Sequence, residues 1–421
     1  MHIRAMQAWR TRGINRTSAH SLILKTTRHC NASCDENRKR GSYARSCTNR
    51  PLQRPLRATT RAYQAFAAAS PSPASDPPLA PRLAQFVDDN FIPLALLAAA
   101  TFGWFIPTPG TIAHSYKVQK FSTIGQFVIS GLVLQASQVI AALKSPFPIL
   151  YGVLSILFVT PLLGILVMSL PASLVQPFEF KVGMAVFCCV PTTLSSCVAL
   201  TNQCNGNAAI ALLLVVLTAI LGVFTIPTVL GFVLGGISGS GLGPGAFNQF
   251  ELLKTLVLTV MCPLFFGMSL QRIGGISAWK DVKTNRKLLA RLSTMFLCIT
   301  PWLQLSVASS AALALTPRLI ATGVGLGIGV HCAMLAFNMA ATSVVRFSRR
   351  REEHIAIRKA LVLCGSEKTL PVAVAVIGQL GVLGAGGGAF AILPCIFSHI
   401  IQTVIDSGLV GRWNAVESKR L

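Results

Sequence analysis

Apolar runs about as long as a bilayer is thick recur along the chain from residue 91 onward. A spanning helix needs about 20 mostly apolar residues. Ten segments approach that length, near 91–108, 121–142, 146–169, 180–202, 208–235, 252–270, 292–314, 319–344, 356–379 and 385–406. The predicted fold is an all-α polytopic membrane protein with ten transmembrane helices. The glycine-rich stretch 236–251 divides them into 91–235 and 252–406, five segments each. Halves with an odd number of spans insert with opposite topology, so the two read as inverted five-helix repeats.

Two of these segments are interrupted. The fourth contains Cys188-Cys189-Val190-Pro191-Thr192-Thr193-Leu194-Ser195-Ser196-Cys197, and the ninth contains Cys364-Gly365-Ser366-Glu367-Lys368-Thr369-Leu370-Pro371. Proline has no N–H for the helix ladder and clashes with the preceding turn. Neighbouring hydroxyls can occupy the backbone groups it frees. Inside a bilayer such a break is tolerated only where protein or a wet cavity covers it. Breaks at the fourth position of both halves point to the binding site of a transporter.

Polar positions inside other segments sharpen the pattern. Thr123, Gln126, Ser130 and Ser137 share one face of the second segment, which should therefore face protein rather than lipid. Gln135 and Gln138 lie off that face. His331 and His399 are expected to be satisfied buried histidines, and Asp406 to be interfacial. Gly384, Gly386, Gly387 and Gly388 lack the Lys-Ser/Thr ending of a nucleotide loop and suit close helix packing.

Composition agrees with the membrane reading: 52% of residues are hydrophobic and 12% charged, against about 25% charged in soluble domains. The net charge of +24 does not imply a nucleic-acid partner. Residues 1–61 hold 14 Lys/Arg and two acids, and the rest of the excess sits between apolar runs. No zinc-finger or aromatic–basic recognition pattern appears. The Arg- and Ser-rich, acid-poor stretch 1–69 has the character of an organellar transit peptide, plastid or mitochondrial. Residues 70–90 read as a proline-rich lead-in, and 407–421 as a short basic tail. Arg82, Lys144, the two basic loops, Arg412, Lys419 and Arg420 fall on one side of the ten-segment arrangement. The positive-inside rule places both termini there, on the stromal, matrix or cytosolic side. The twelve cysteines form no CxxC-plus-His ligand pattern.

Chemistry concentrates at the breaks. Thr192, Thr193, Ser195 and Ser196 offer hydroxyl oxygens, and Thr201, Asn202 and Asn207 extend the polar surface. Hard cations want several oxygen ligands, and an unwound segment supplies carbonyls as well. Glu367 can bind a cation or a proton, with Ser366 and Thr369 beside it. Lys368 can attract an anionic substrate or neutralise Glu367. Charge at this depth marks ion paths or buried pairs. The candidate sodium site comprises Ser195, Ser196, Thr201, Asn207, Ser366 and Glu367. The candidate substrate contacts are Thr192, Thr193, Asn202, Lys368 and Thr369.

These two motifs, Pro191 to Val198 with its Thr201–Asn207 extension and Ser366 to Pro371, resemble those of the bile acid:sodium symporter superfamily. The resemblance spans roughly 85–410 and is strongest to the plant and algal plastid members and the seventh-member branch of solute carrier family 10. It implies ten helices in a panel and a core, with helices four and nine crossing where they unwind. It also implies co-transport of sodium with an organic anion. The sodium-coupled pattern Glu-Val-Gly-x-Gln-Asn departs here: its Glu aligns with Cys364 and its Gln with Lys368. A lysine at that place could stand in for one cation.

The expected function is secondary active, sodium-coupled symport of a small organic anion across the chloroplast envelope, at the inner membrane, with both termini stromal. Sodium is a co-transported ion and no cofactor is expected. The partners are the anion, sodium and the lipid bilayer, without nucleic acid, for a monomer or weak homo-oligomer. No enzymatic activity is expected. A proton-coupled or uncoupled carrier and a non-transporting membrane regulator are the alternatives.

Overall fold

In a computed structural model the described residues are 87, 90–134, 145–235, 248–273, 282–311, 316–380 and 384–419. The transit-peptide segment, most of the lead-in and of the glycine linker, and Gln135, Ser137 and Gln138 lie outside them. Among the described residues there are helices and no strands. In chain order these are α1 (Phe91–Phe105), α2 (Pro107–Ser115), α3 (Val118–Val133), α4 (Pro146–Leu154) and α5 (Thr160–Ser169). Next come α6 (Phe178–Cys189), α7 (Ser195–Gln203), α8 (Ala208–Gly235), α9 (Gln249–Leu256) and α10 (Cys262–Ile273). The last five are α11 (Val282–Ala311), α12 (Pro317–Val344), α13 (Arg351–Ser366), α14 (Leu370–Ile377) and α15 (Gly384–Ser418). A wide π-turn joins α4 to α5 at Ser155–Val159, and another joins α9 to α10 at Val257–Met261.

The chain is a polytopic membrane protein. Seven of the described helical rods are long and apolar enough to cross a bilayer, or up to eight if the bent pair α1–α2 is one span. That pair turns by 94° at the Ile106–Pro107 junction. Each of the ten predicted segments contains helix, but the second is described only as far as Leu134 and the fourth is two short helices.

Polarity is arranged inside out relative to a soluble domain. Ser122, Thr123, Gln126 and Ser130 of α3 are buried, while Phe121 of the same helix is 69% exposed. The Ser122 hydroxyl donates to the Phe296 carbonyl of α11 at 2.6 Å. Leu162 and Leu166, four apart on α5, and Phe224 and Phe232 of α8 point outward. In lipid such faces need no cover, so the buried polar face of α3 is the informative one.

Small residues set the closest approaches. A Cβ on Gly183 of α6 would sit 1.7 Å from the Ala391 carbonyl oxygen of α15. Gly131 of α3 and Gly267 of α10 meet in the same way, each against the other helix's backbone. The Gly183 contact joins α6 to α15 next to the breaks, and α14 packs against both.

Candidate functional site

The two interrupted segments meet. After α6 the chain runs extended through Val190 (φ −78°, ψ 157°), and α7 resumes at Ser195. After α13 it runs extended at Glu367 (φ −80°, ψ 144°) and Thr369, and α14 resumes at Leu370. Val190 precedes Pro191, a position biased away from helical backbone, and Pro371 falls in the first turn of α14, where its missing N–H has no helical partner to lose. The freed groups find partners across the gap. The Thr369 N–H donates to the Pro191 carbonyl at 3.0 Å. The Gln402 amide of α15 accepts from the Lys368 N–H at 3.0 Å and donates to the Lys368 carbonyl at 2.8 Å.

At this junction Glu367 and Lys368 point to different partners. Glu367 is fully buried, and its Oε2 accepts from the hydroxyls of Thr193 and Ser196, each at 2.5 Å. Its Oε1 has no hydrogen-bond partner. Asp406 and His331 lie within electrostatic reach of Glu367. They pair with each other, His331 Nε2 to Asp406 Oδ1, at 3.1 Å, leaving Asp406 Oδ2 unpartnered. Lys368, also fully buried, donates to the Ile156 carbonyl (2.9 Å), the Thr160 hydroxyl (2.6 Å) and the Val190 carbonyl (3.0 Å).

Beside the junction lies a cavity of about 620 Å³, walled by α1, α3, α7, α11 and α15. Among the described residues its polar lining includes Ser130, Ser195, Asn202, Arg291, Ser293 and Thr294. Helix α7 divides the cavity from the carboxylate. Ser195, Val198 and Asn202 face the cavity, whereas the Ser196 hydroxyl bonds Glu367. Consecutive helical residues point about 100° apart, so Ser195 and Ser196 serve different faces of one short helix.

The predicted site residues fall into three groups. Thr193, Ser196 and Glu367 are in direct contact, and the buried Thr192 hydroxyl is unpartnered. Ser195 and Asn202 line the cavity, although the Asn202 amide also donates to Val198 at 2.9 Å. The remainder hold backbone or stand apart. Ser366 Oγ bonds Val362 in its own helix at 2.7 Å, and Thr369 contributes its N–H to the bridge with Pro191. Asn207 caps α8 by accepting from the Ile210 N–H at 3.1 Å. Thr201 is buried near Gly206 with its hydroxyl unpartnered.

Asp406, expected at the interface, is fully buried because α15 carries it into contact with His331 of α12. Sequence reasoning also missed Thr160, Gln402 and Arg291. For the α15 residues a signal existed: His399, Gln402 and Asp406 recur at three- and four-residue spacing, one helical face. The role of Thr160 had no local signal.

The sequence profile of the SBF-like CPA transporter family (DUF4137) matches residues 89–415. The "Probable sodium/metabolite cotransporter BASS4, chloroplastic" of Arabidopsis thaliana is 39% identical over 339 residues, covering 79% of this chain and 74% of that one. The protein of the same description from Oryza sativa subsp. japonica is 37% identical over 350 residues, covering 82% and 80%.

Proposed function

The chain belongs to the SBF-like CPA transporter family, the bile acid:sodium symporter group, and from that premise we propose a sodium-coupled symporter of a small organic anion. It works in the plastid inner envelope by alternating access between two inverted five-helix repeats. One observation carries this reading: a single short helix, α7, presents Ser196 to the buried Glu367 carboxylate and Ser195 to an adjoining cavity.

Glu367 Oε1 is a fully buried carboxylate oxygen without a partner, with two hydroxyls already on its twin oxygen. Oxygen donors of this kind suit a hard cation such as sodium. A cation there neutralises charge that is costly to bury and ties α13 to α7. Among the described residues the cavity wall offers Arg291, hydroxyls and the N-terminus of α7. That lining favours an anion. Because ion and anion contact different faces of α7, filling one site alters the placement of the other. The plastid assignment is supported by the plant relatives, whose names describe chloroplastic proteins.

A second reading rests on the His331–Asp406 pair beside Glu367, a set of groups that could carry a proton instead of sodium. Purified protein reconstituted in liposomes decides between them. Uptake of radiolabelled organic anions is measured under inward sodium, potassium or proton gradients. Symport with sodium gives sodium-specific uptake that is lost in Glu367→Gln. Uptake driven by protons alone selects the second reading. No uptake across a broad anion panel, with no ion effect on stability, overturns both.

A further inference from the structure

Lys368 has the surroundings of a bound ion rather than of an ion pair. Its ammonium touches two carbonyl oxygens and one hydroxyl, from Ile156, Val190 and Thr160, at 2.6–3.0 Å. The residue is fully buried, and no carboxylate lies within ion-pair distance of it among the described residues. The neighbouring Glu367 side chain is committed to Thr193 and Ser196. Burying a charge among neutral dipoles is how a protein holds a dehydrated monovalent cation.

The oxygens are arranged for that purpose. Ile156 lies in the wide π-turn between α4 and α5, a distortion that re-aims backbone groups and recurs at functional sites. Val190 lies in the unwound stretch after α6. Thr160 Oγ1 also reaches the carbonyls of Ile156 (2.7 Å) and Cys188 (3.2 Å), which orients its lone pair toward the ammonium. Two departures from regular helix thus converge on one nitrogen. The Lys368 backbone is fixed independently by Gln402.

We propose that Ile156, Thr160 and Val190 form a second monovalent-cation site, and that Lys368 fills it as a covalently tethered cation. The site therefore takes no soluble ion in the native protein. Resting on the sodium-symport reading above, this leaves Glu367 as the position for a single soluble cation per cycle. Removing the lysine side chain vacates the cage and turns it into a site for a free cation. Its spacing suits ammonium or potassium, and sodium requires the cage to contract.

The test is cation rescue of Lys368→Ala, read by thermal unfolding of the full chain in detergent. The variant in choline chloride is expected to melt roughly 5 °C or more below the native protein. Adding ammonium or potassium chloride should recover the loss, with the steady concentration dependence of mass action. The native protein should show no such recovery. Adding Thr160→Val to Lys368→Ala removes one oxygen and should weaken the rescue at least tenfold in half-effective concentration. A variant that is lost when purified in choline but recovered in ammonium supports the site equally.

An unfolding temperature of Lys368→Ala that is insensitive to every monovalent cation overturns the proposal, as does failure to recover protein in any of these salts. The readout involves no transport. A failed rescue leaves the symport reading standing, and absent uptake leaves a positive rescue standing.

Discussion

Thr369 donates its backbone N–H to the carbonyl of Pro191 at 3.0 Å, so the two interrupted helices are bonded to each other where each has lost its own ladder. A buried carbonyl without a partner costs about 1–3 kcal/mol. The breaks therefore satisfy one another's freed backbone groups. Three side-chain bonds, Thr193 and Ser196 to Glu367 and Lys368 to the Val190 carbonyl, join the same two segments.

Gln402 is the outside support of this junction. Its amide satisfies both the N–H and the carbonyl of Lys368. Gln402→Ala leaves the buried Lys368 N–H unpaired and its carbonyl with only His399 Nδ1, at 3.2 Å, and is expected to lower stability by about 1–3 kcal/mol. Gln402→Glu, which keeps the acceptor for the N–H and loses the donor to the carbonyl, also falls below the native protein. Thermal unfolding of purified protein measures both. Native-like melting of Gln402→Ala would show that the clamp is not needed.

The two faces of α7 should separate in kinetics. Ser196→Ala removes a hydrogen bond to a buried carboxylate, worth about 1.5–3 kcal/mol. We expect at least a tenfold rise in the sodium concentration for half-maximal uptake. Arg291→Ala alters the cavity wall instead and should raise the half-saturating anion concentration. Uptake titrated separately against sodium and against anion distinguishes the two. Identical effects of both substitutions on both titrations would contradict the division of α7 into an ion face and an anion face.

His331 and Asp406 pair with each other between α12 and α15. Removing one partner from a buried ion pair leaves an uncompensated group and costs about 3–5 kcal/mol. His331→Leu and Asp406→Leu are each expected to destabilise by that order, and the double replacement by less than the sum of the two. A double-mutant cycle on unfolding free energies gives the coupling. Additive losses would mean that the contact contributes nothing to stability.

Much of this protein was legible along the chain. Length and hydropathy of each run determined the all-helical membrane class, because a bilayer demands internal backbone pairing and a minimum apolar length. Pro191 and Pro371 located both breaks only together with their hydroxyl and charged neighbours, since Pro227, Pro301 and Pro394 lie inside continuous helices. The buried orientation of Thr123, Gln126 and Ser130 followed from their spacing on one helical face.

Partnership did not follow from position along the chain. Glu367 and Lys368 are adjacent in sequence, yet the extended backbone between α13 and α14 turns one to α7 and the other to the α4–α5 turn. Asn207 and Ser366 have the composition of ion ligands but are occupied by the nearest backbone groups. Thr160 and Gln402 reach the junction from 208 and 34 residues away along the chain, and His331 and Asp406 pair with each other beside it. Sequence patterns report what a residue can do within a few turns of helix. Which of the buried oxygens are spent on backbone and which remain for a ligand is a property of the packed whole, and only the tertiary structure decided it.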